Sequence, residues 1–150
     1  MFRWLKRIGI GLGCLVVLFG LMQIVPYGRT HENPPMVEEP QWSSPRVRQL
    51  AVRACFNCHS NETTWPWYAN VAPFSWVVEL DVANARETLN FSEWNHPHDT
   101  APESGASIVR GDMPPYKYKM AHPEANLTHD ESLELARGLN EMQGVKNKLY

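Results

Sequence analysis

From Ile8 to Val25 the chain runs eighteen residues in which Gln23 is the only strongly polar side chain. Such a run can enter an apolar medium only as a helix, because every backbone amide and carbonyl must then find its partner inside the segment. At about 1.5 Å per residue it reaches roughly 27 Å, close to the ~30 Å hydrocarbon thickness of a bilayer. Arg3, Lys6 and Arg7 precede it, and the positive-inside rule then keeps the N-terminus in the cytoplasm and exports everything after Val25. A cleavable signal peptide shares the basic start and the apolar segment. The run is long for one, and Val25-Pro26-Tyr27-Gly28-Arg29 contains no small-x-small cleavage site, so an uncleaved anchor over 8–25 behind a cytoplasmic start at 1–7 is expected. Cys14 lies inside the run and reads as a membrane-buried residue, not a lipid-bearing one. A buried core helix is disfavoured by the length and the basic flank.

Composition limits the remainder of the chain. With 150 residues, 43% of them hydrophobic and 20% charged, there is room for one small core. Three cysteines are too few for a disulfide-stapled scaffold, and a net charge of -2 gives no electrostatic reason to expect nucleic acid as a partner. The part beyond the anchor holds sixteen acidic against eleven basic residues, a formal -5, which suits solubility better than docking on anionic lipid. Residues 26–45 contain five of the twelve prolines, with Glu32, Glu38 and Glu39. The stretch 26–43 is therefore expected to be a semi-rigid spacer, with a folded domain over 44–143 and a tail over 144–150.

Ser44-Pro45 supplies an N-cap residue and a proline at the first helical position, and Val47, Leu50, Ala51 and Ala54 recur at helical spacing. A helix thus leads into Cys55-Phe56-Asn57-Cys58-His59, the c-type haem attachment pattern. Two thiols three positions apart can each add to one vinyl group of a haem, and the next histidine is then held on the iron as proximal ligand. Three alternatives compete. A thioredoxin-like pair needs a strand before the motif and a βαβ surround; a zinc site needs a fourth ligand; a disulfide would close too short a loop to constrain the chain. Export agrees with haem attachment.

A second axial ligand closes the iron for electron transfer, and an open position serves small-molecule binding. The downstream candidates are Met113, Met120, Met142, His96, His98, His122 and His129. Met113 leads, because Gly111-Asp112-Met113-Pro114-Pro115 stiffens the backbone and denies it local helix, holding a weak sulfur ligand on a fixed loop. His122, beside Pro123, is the alternative distal ligand. His96 and His98 read as a polar loop, and His129 as an exposed residue of the last helix's first turn. Eight aromatics lie between Phe56 and Trp94. They are core residues by default, yet a small domain around a flat macrocycle needs such surfaces, and Trp65, Trp67, Tyr68 and Trp76 are the expected pocket residues. Arg86 and Arg110 could pair with a propionate, though each reads first as a solvated helix-face charge.

The coarse structure is all-α. A helix opens at Pro73 or Ser75 and runs to about Leu89, with Val78, Val82, Ala85 and Leu89 on one stripe; a weaker one covers Glu103 to Arg110. Thr128 and Glu131 form a capping box, with Leu135, Leu139 and Met142 at helical spacing before Gly144. Four short helices around a covalent haem, preceded by one transmembrane helix, is the expected architecture.

Taken together, these residues resemble the small bacterial haem-binding domain family, a cytochrome c-like group of exported proteins. The resemblance covers nearly all of 44–143. It rests on Cys55-x-x-Cys58-His59-Ser60-Asn61-Glu62-Thr63, Trp65-Pro66-Trp67-Tyr68, Ala72-Pro73-x-Ser75-Trp76, Asp81-Val82 with Arg86, and Asn90-Phe91-Ser92-x-Trp94. Met113-Pro114-Pro115 and His122-Pro123-x-Ala125-x-Leu127 complete it. Ala85 stands where the pattern has glycine, and His96 to Ser107 matches it poorly. The resemblance implies covalently bound haem c, one per chain, and an envelope location. Electron transfer by a carrier that is not itself an enzyme, with an unidentified redox partner, is the leading expectation. A haem-based sensor or small-molecule binder is the alternative, or a peroxidase-associated domain with an open sixth site.

Overall fold

The computed structural model describes residues 2–97 and 103–145; His98 and the tail beyond 145 lie outside them. The chain is all-helical, with no strand among the described residues. Seven α-helices succeed one another among those residues: α1 (Phe2–Met22), α2 (Pro45–Ala54), α3 (Phe56–His59), α4 (Phe74–Thr88), α5 (Ser104–Arg110), α6 (Tyr116–Ala121) and α7 (His129–Met142). Two compact units divide it, Met1–Glu32 with Trp65–Asp81 and Asn33–Thr64 with Val82–Tyr150.

In the first unit α1 is long and apolar enough to cross a membrane, and none of its side chains is buried. The helix stops three residues short of the expected Val25 because Gln23 leaves it to serve another segment. Its side-chain amide donates to the Ala72 carbonyl at 2.9 Å and accepts from the Ala72 amide at 3.0 Å. Arg29 then braces Gln23, donating to its carbonyl at 3.0 Å and to its Oε1 at 2.9 Å. Gly28 has φ 73, and a Cβ there would meet the Ser75 carbonyl and Glu79, so glycine serves both conformation and close approach. His31, also left-handed at φ 53, stacks on Trp65 with ring centroids 4.8 Å apart and reaches the Ala69 carbonyl at 3.1 Å.

In the second unit α2 starts as its sequence dictates. Ser44 caps the Val47 amide at 3.2 Å, Pro45 occupies the first turn, and Val47, Leu50, Ala51 and Ala54 are buried on one face. The capping box of α7 is complete, with Thr128 Oγ1 accepting from the Glu131 amide at 3.2 Å and Glu131 Oε2 from the Thr128 amide at 3.0 Å. Helix α7 buries Leu135, Ala136 and Leu139, against which both α2 and α5 pack. The crossings are glycines. A Cβ on Gly138 would lie 2.5 Å from Val47 Cγ2, and one on Gly105 would meet Asn140 and the Ala136 carbonyl. Leu50, Leu135, Leu139 and Phe91 are fully enclosed, each contributing about 1.5–3 kcal/mol by burial.

The structure shows three differences from the sequence expectations. The stretch 26–43, expected as a semi-rigid spacer, is bonded within each unit: Gln23, Arg29 and His31 tie its start in the first, and its second half joins the helical core of the second. The Val37 and Glu38 amides donate to the Ser92 carbonyl at 2.8 and 3.1 Å, and Trp42 packs on Phe91 at 5.2 Å. Prolines remove their own donors but leave those of Val37 and Glu38 available. Helix α6 is an addition to the expected elements; Pro115, extended at ψ 146, is its N-cap, so the proline precedes the helix and does not end it. The Met142 side chain packs against the core cluster, which removes it from the ligand candidates.

Glu131 is the ionic tie between α2 and α7, taking Arg53 at 2.5 Å and Arg46 at 2.8 Å. Arg53, then the Thr128 amide, hold its carboxyl down to about 2 from 4.5. The stabilisation is therefore present above pH 4.5 and is lost as the pH falls toward 2. Glu131→Gln should lower the unfolding midpoint of the loaded protein at neutral pH, with the difference from wild type shrinking through that window. In the same denaturant titration, Gly138→Val should cost about 1–3 kcal/mol by overpacking the α2–α7 crossing.

Candidate functional site

Helix α2 delivers the motif. The Cys55 amide donates to the Ala51 carbonyl at 2.7 Å, and the Cys55 carbonyl accepts from both Cys58 and His59 amides at 3.0 and 2.9 Å. The two thiols thus sit one helical turn apart, and no disulfide joins them. Burial first, and then the neighbouring Cys58, push the Cys55 thiol up to about 12. A thiol so disposed stays protonated at neutral pH, the opposite of the low-pKa thiolate that dithiol redox enzymes need. With no strand among the described residues, the thioredoxin-like alternative has neither its fold nor its electrostatics.

His59 is held by the far end of α4. Its Nδ1 lies 3.1 Å from the Ala85 carbonyl and 3.0 Å from that of Leu89. Carbonyls only accept, so Nδ1 carries the proton and Nε2 is the lone-pair nitrogen; Nε2 has no partner among the described residues. Burial pushes the imidazole below its usual range, against the pull of the two carbonyls, and keeps the ring neutral. A ring whose Nδ1–H is fixed on carbonyls is the arrangement that orients a metal-binding imidazole and raises its basicity. The C-terminal end of α4 adds the negative pole of its dipole to the same atom. Two thiols a turn apart beside such a ring are a donor set that fits a haem.

A polar lattice keeps this turn in place. The Phe91 amide donates to the His59 carbonyl at 2.8 Å, and the Asn61 amide to Ser92 Oγ at 2.9 Å. Asn61 Nδ2 reaches Glu93 at 2.8 Å, while Asn61 Oδ1 accepts from Asn90 Nδ2 at 2.9 Å. Arg86 donates to the Ser60 carbonyl, Thr63 Oγ1 and Asn33 Oδ1, each at 2.9 Å. Arg86 is thus a clamp on the motif loop, which corrects its reading as a solvated helix-face charge. Arg110, exposed and paired with Asp112 at 2.8 Å, fits that reading. A cleft of about 320 Å³ lined by Asn61, Arg86, Asn90, Glu93 and His96 borders the lattice; neither the two motif cysteines nor His59 line it.

The ligand candidates divide. Met113 sits on a loop pinned to α5, its amide and that of Asp112 both donating to the Ser107 carbonyl at 3.2 and 2.9 Å, and its side chain is exposed. His122 caps α6, stacks on Tyr118 with centroids 4.3 Å apart, and places Nδ1 3.1 Å from Glu124. Tyr118 in turn accepts a bond from Asn57 Nδ2 at 2.8 Å, so α6 is tied to the motif itself. His96 and His129 are exposed, and Met120 is exposed on α6. Of the aromatics, Phe56, Phe91 and Trp94 are core, stacked in series with Trp42 beside them. Trp65, Trp67, Tyr68 and Trp76 belong to the first unit; Trp67 is exposed, and Trp76 Nε1 is buried without a partner among the described residues.

Asn57, Tyr118 and the two α4 carbonyls escape sequence reasoning. Backbone acceptors carry no side-chain signature, and the Asn57–Tyr118 bond spans 61 residues. Asn61→Leu should cost about 1–3 kcal/mol by stripping Asn90 of its acceptor, read as a lowered Tm of the loaded protein.

No curated protein and no solved structure matches this chain. One family model does, that of the haem-binding domain, over residues 17–141, from within α1 to within α7. The motif turn, its α4 support and the lattice beneath it all lie inside that span, and the chain belongs to the haem-binding domain family.

Proposed function

We propose that this chain is a membrane-anchored, mono-haem c-type cytochrome that carries electrons in the cell envelope. The observation that carries the reading is the His59 ring, fixed through Nδ1 on the Ala85 and Leu89 carbonyls and offering Nε2 beside two thiols one turn apart. In this reading Cys55 and Cys58 would hold the haem through thioether links to its two vinyl groups. His59 Nε2 and Met113 would hold its iron, and the group so held would supply one reversible electron.

The chain's own groups do the rest. Burial keeps His59 neutral, the Ala85 and Leu89 carbonyls keep it oriented, and Arg86 holds the loop that carries it. Helix α1 is the anchor, with Arg3, Lys6 and Arg7 on the cytoplasmic side and the haem domain outside.

One observation favours a second assignment for the sixth position. His122 has the carboxylate of Glu124 on Nδ1 and Tyr118 linking it to Asn57 of the motif, whereas the Met113 side chain is exposed. A carboxylate on one ring nitrogen prepares the other for metal.

The absorption spectrum of protein made in a host with c-type maturation, read before and after denaturation in alkaline pyridine, tests the cofactor. Haem should stay with the chain at the band position of two thioether links; haem that washes out ends the c-type reading. Cys55→Ser/Cys58→Ser should lose covalent haem altogether. Met113→Ala should abolish any sulfur-to-iron band and lower the reduction potential, because thioether ligation favours the ferrous state. If that spectrum and potential persist while His122→Ala changes both, the sixth ligand is His122. Carbon monoxide binding to the reduced wild type at neutral pH would instead point to an open or labile sixth site.

A further inference from the structure

We infer that Trp67 and the outer face of the first two turns of α4 form a second membrane contact, seated in the lipid interface beside the end of α1. The inference rests on the reading of α1 as a membrane helix. Gln23, the last polar group of the apolar run, grips Ala72 by both its amide and its carbonyl, and α4 opens two residues later at Phe74. Whatever depth the end of α1 takes, residues 72–74 share it. From there the exposed side chains are apolar. Phe74 is 59% exposed, Val77 47% and Leu80 51%, at i, i+3 and i+6, which confines them to about 120° of the helix surface.

Neighbouring exposures extend the patch. Trp67 is 79% exposed, with its ring edge-on to Tyr68 at 5.9 Å, and Tyr68 is edge-on to Phe74 at 6.4 Å. Ile24, Val25 and Tyr27, flanking the clamp, are exposed as well. A contiguous apolar surface of this kind is uncommon on a water-facing domain. Tryptophan and tyrosine are the side chains that favour the headgroup level, where an apolar ring and a polar tip both find a medium. Asp81, seven residues on from Phe74 and on the same face, ends the stripe about two turns along the helix. The occupant is thus the acyl–headgroup boundary of the leaflet that α1 leaves. The Gln23–Ala72 grip and the Arg29 brace make the contact rigid where a flexible linker would leave it optional.

The full haem-loaded chain, reconstituted in phosphatidylcholine vesicles with a photoreactive benzoylphenylalanine at Leu15, Phe74, Val77 or Leu80, tests this. Lipid adducts are expected at all four positions, and the adduct at Phe74 should fall severalfold when Val77→Glu and Leu80→Glu place charge in the stripe. Lipid adducts at Leu15 with none at the α4 positions overturn the interfacial contact and leave the anchor standing. None at Leu15 overturns the anchor and the contact together. Adducts joining two copies of the chain at Phe74 or Leu80 assign the face to self-association and overturn the lipid reading.

Discussion

A histidine presents a metal with one nitrogen only if something else has claimed the other, and here the claim is made by the closing turn of α4. The Ala85 carbonyl, in the last turn of α4, and the Leu89 carbonyl, just past its end at Thr88, both meet His59 Nδ1, the first while still accepting the Leu89 amide. The same helix end returns a bond, as the Phe91 amide reaches the His59 carbonyl. Just before it, Arg86 reaches the Ser60 carbonyl. The motif turn and the end of α4 are therefore bonded to each other in both directions.

Around that joint the second unit uses ordinary helix chemistry. Apolar faces on α2, α5 and α7 close on one another where glycines allow the backbones near. The capping glutamate of α7 doubles as the ionic partner of α2. Such economy makes helix initiation and helix packing a single event, since Glu131 cannot cap α7 in this geometry without presenting its carboxylate to Arg53 and Arg46.

Local signals were legible, and long-range ones were not. Ser44-Pro45, the Thr128–Glu131 box and the apolar spacings of α2, α4 and α7 all act within a few residues, so they can be read from the chain alone. So can the order of Cys55, Cys58 and His59. The seating of Trp42 on Phe91 was hidden by the prolines around it, which suggest a spacer. The Asn61–Asn90–Ser92 lattice was present as motif residues but without a role, because asparagine and serine announce a turn more readily than a buried network. Helix α6, six residues long and with none of them buried, has no apolar stripe to betray it. Prolines give Met113 and His122 similar rigid settings in the sequence, and only the structure separates an exposed thioether from a stacked, carboxylate-paired ring.

Both groups that orient His59 belong to the main chain. Substituting residue 85 or 89 leaves a carbonyl at that position and costs the ring no acceptor. The electronic tuning of the site is in this sense written in the trajectory of α4 and not in the identity of its residues. Point mutation reaches it by changing where that helix stops, which makes Asn90 and Phe91, the residues just past its end, the positions through which the setting of the His59 ring is most exposed to evolutionary change.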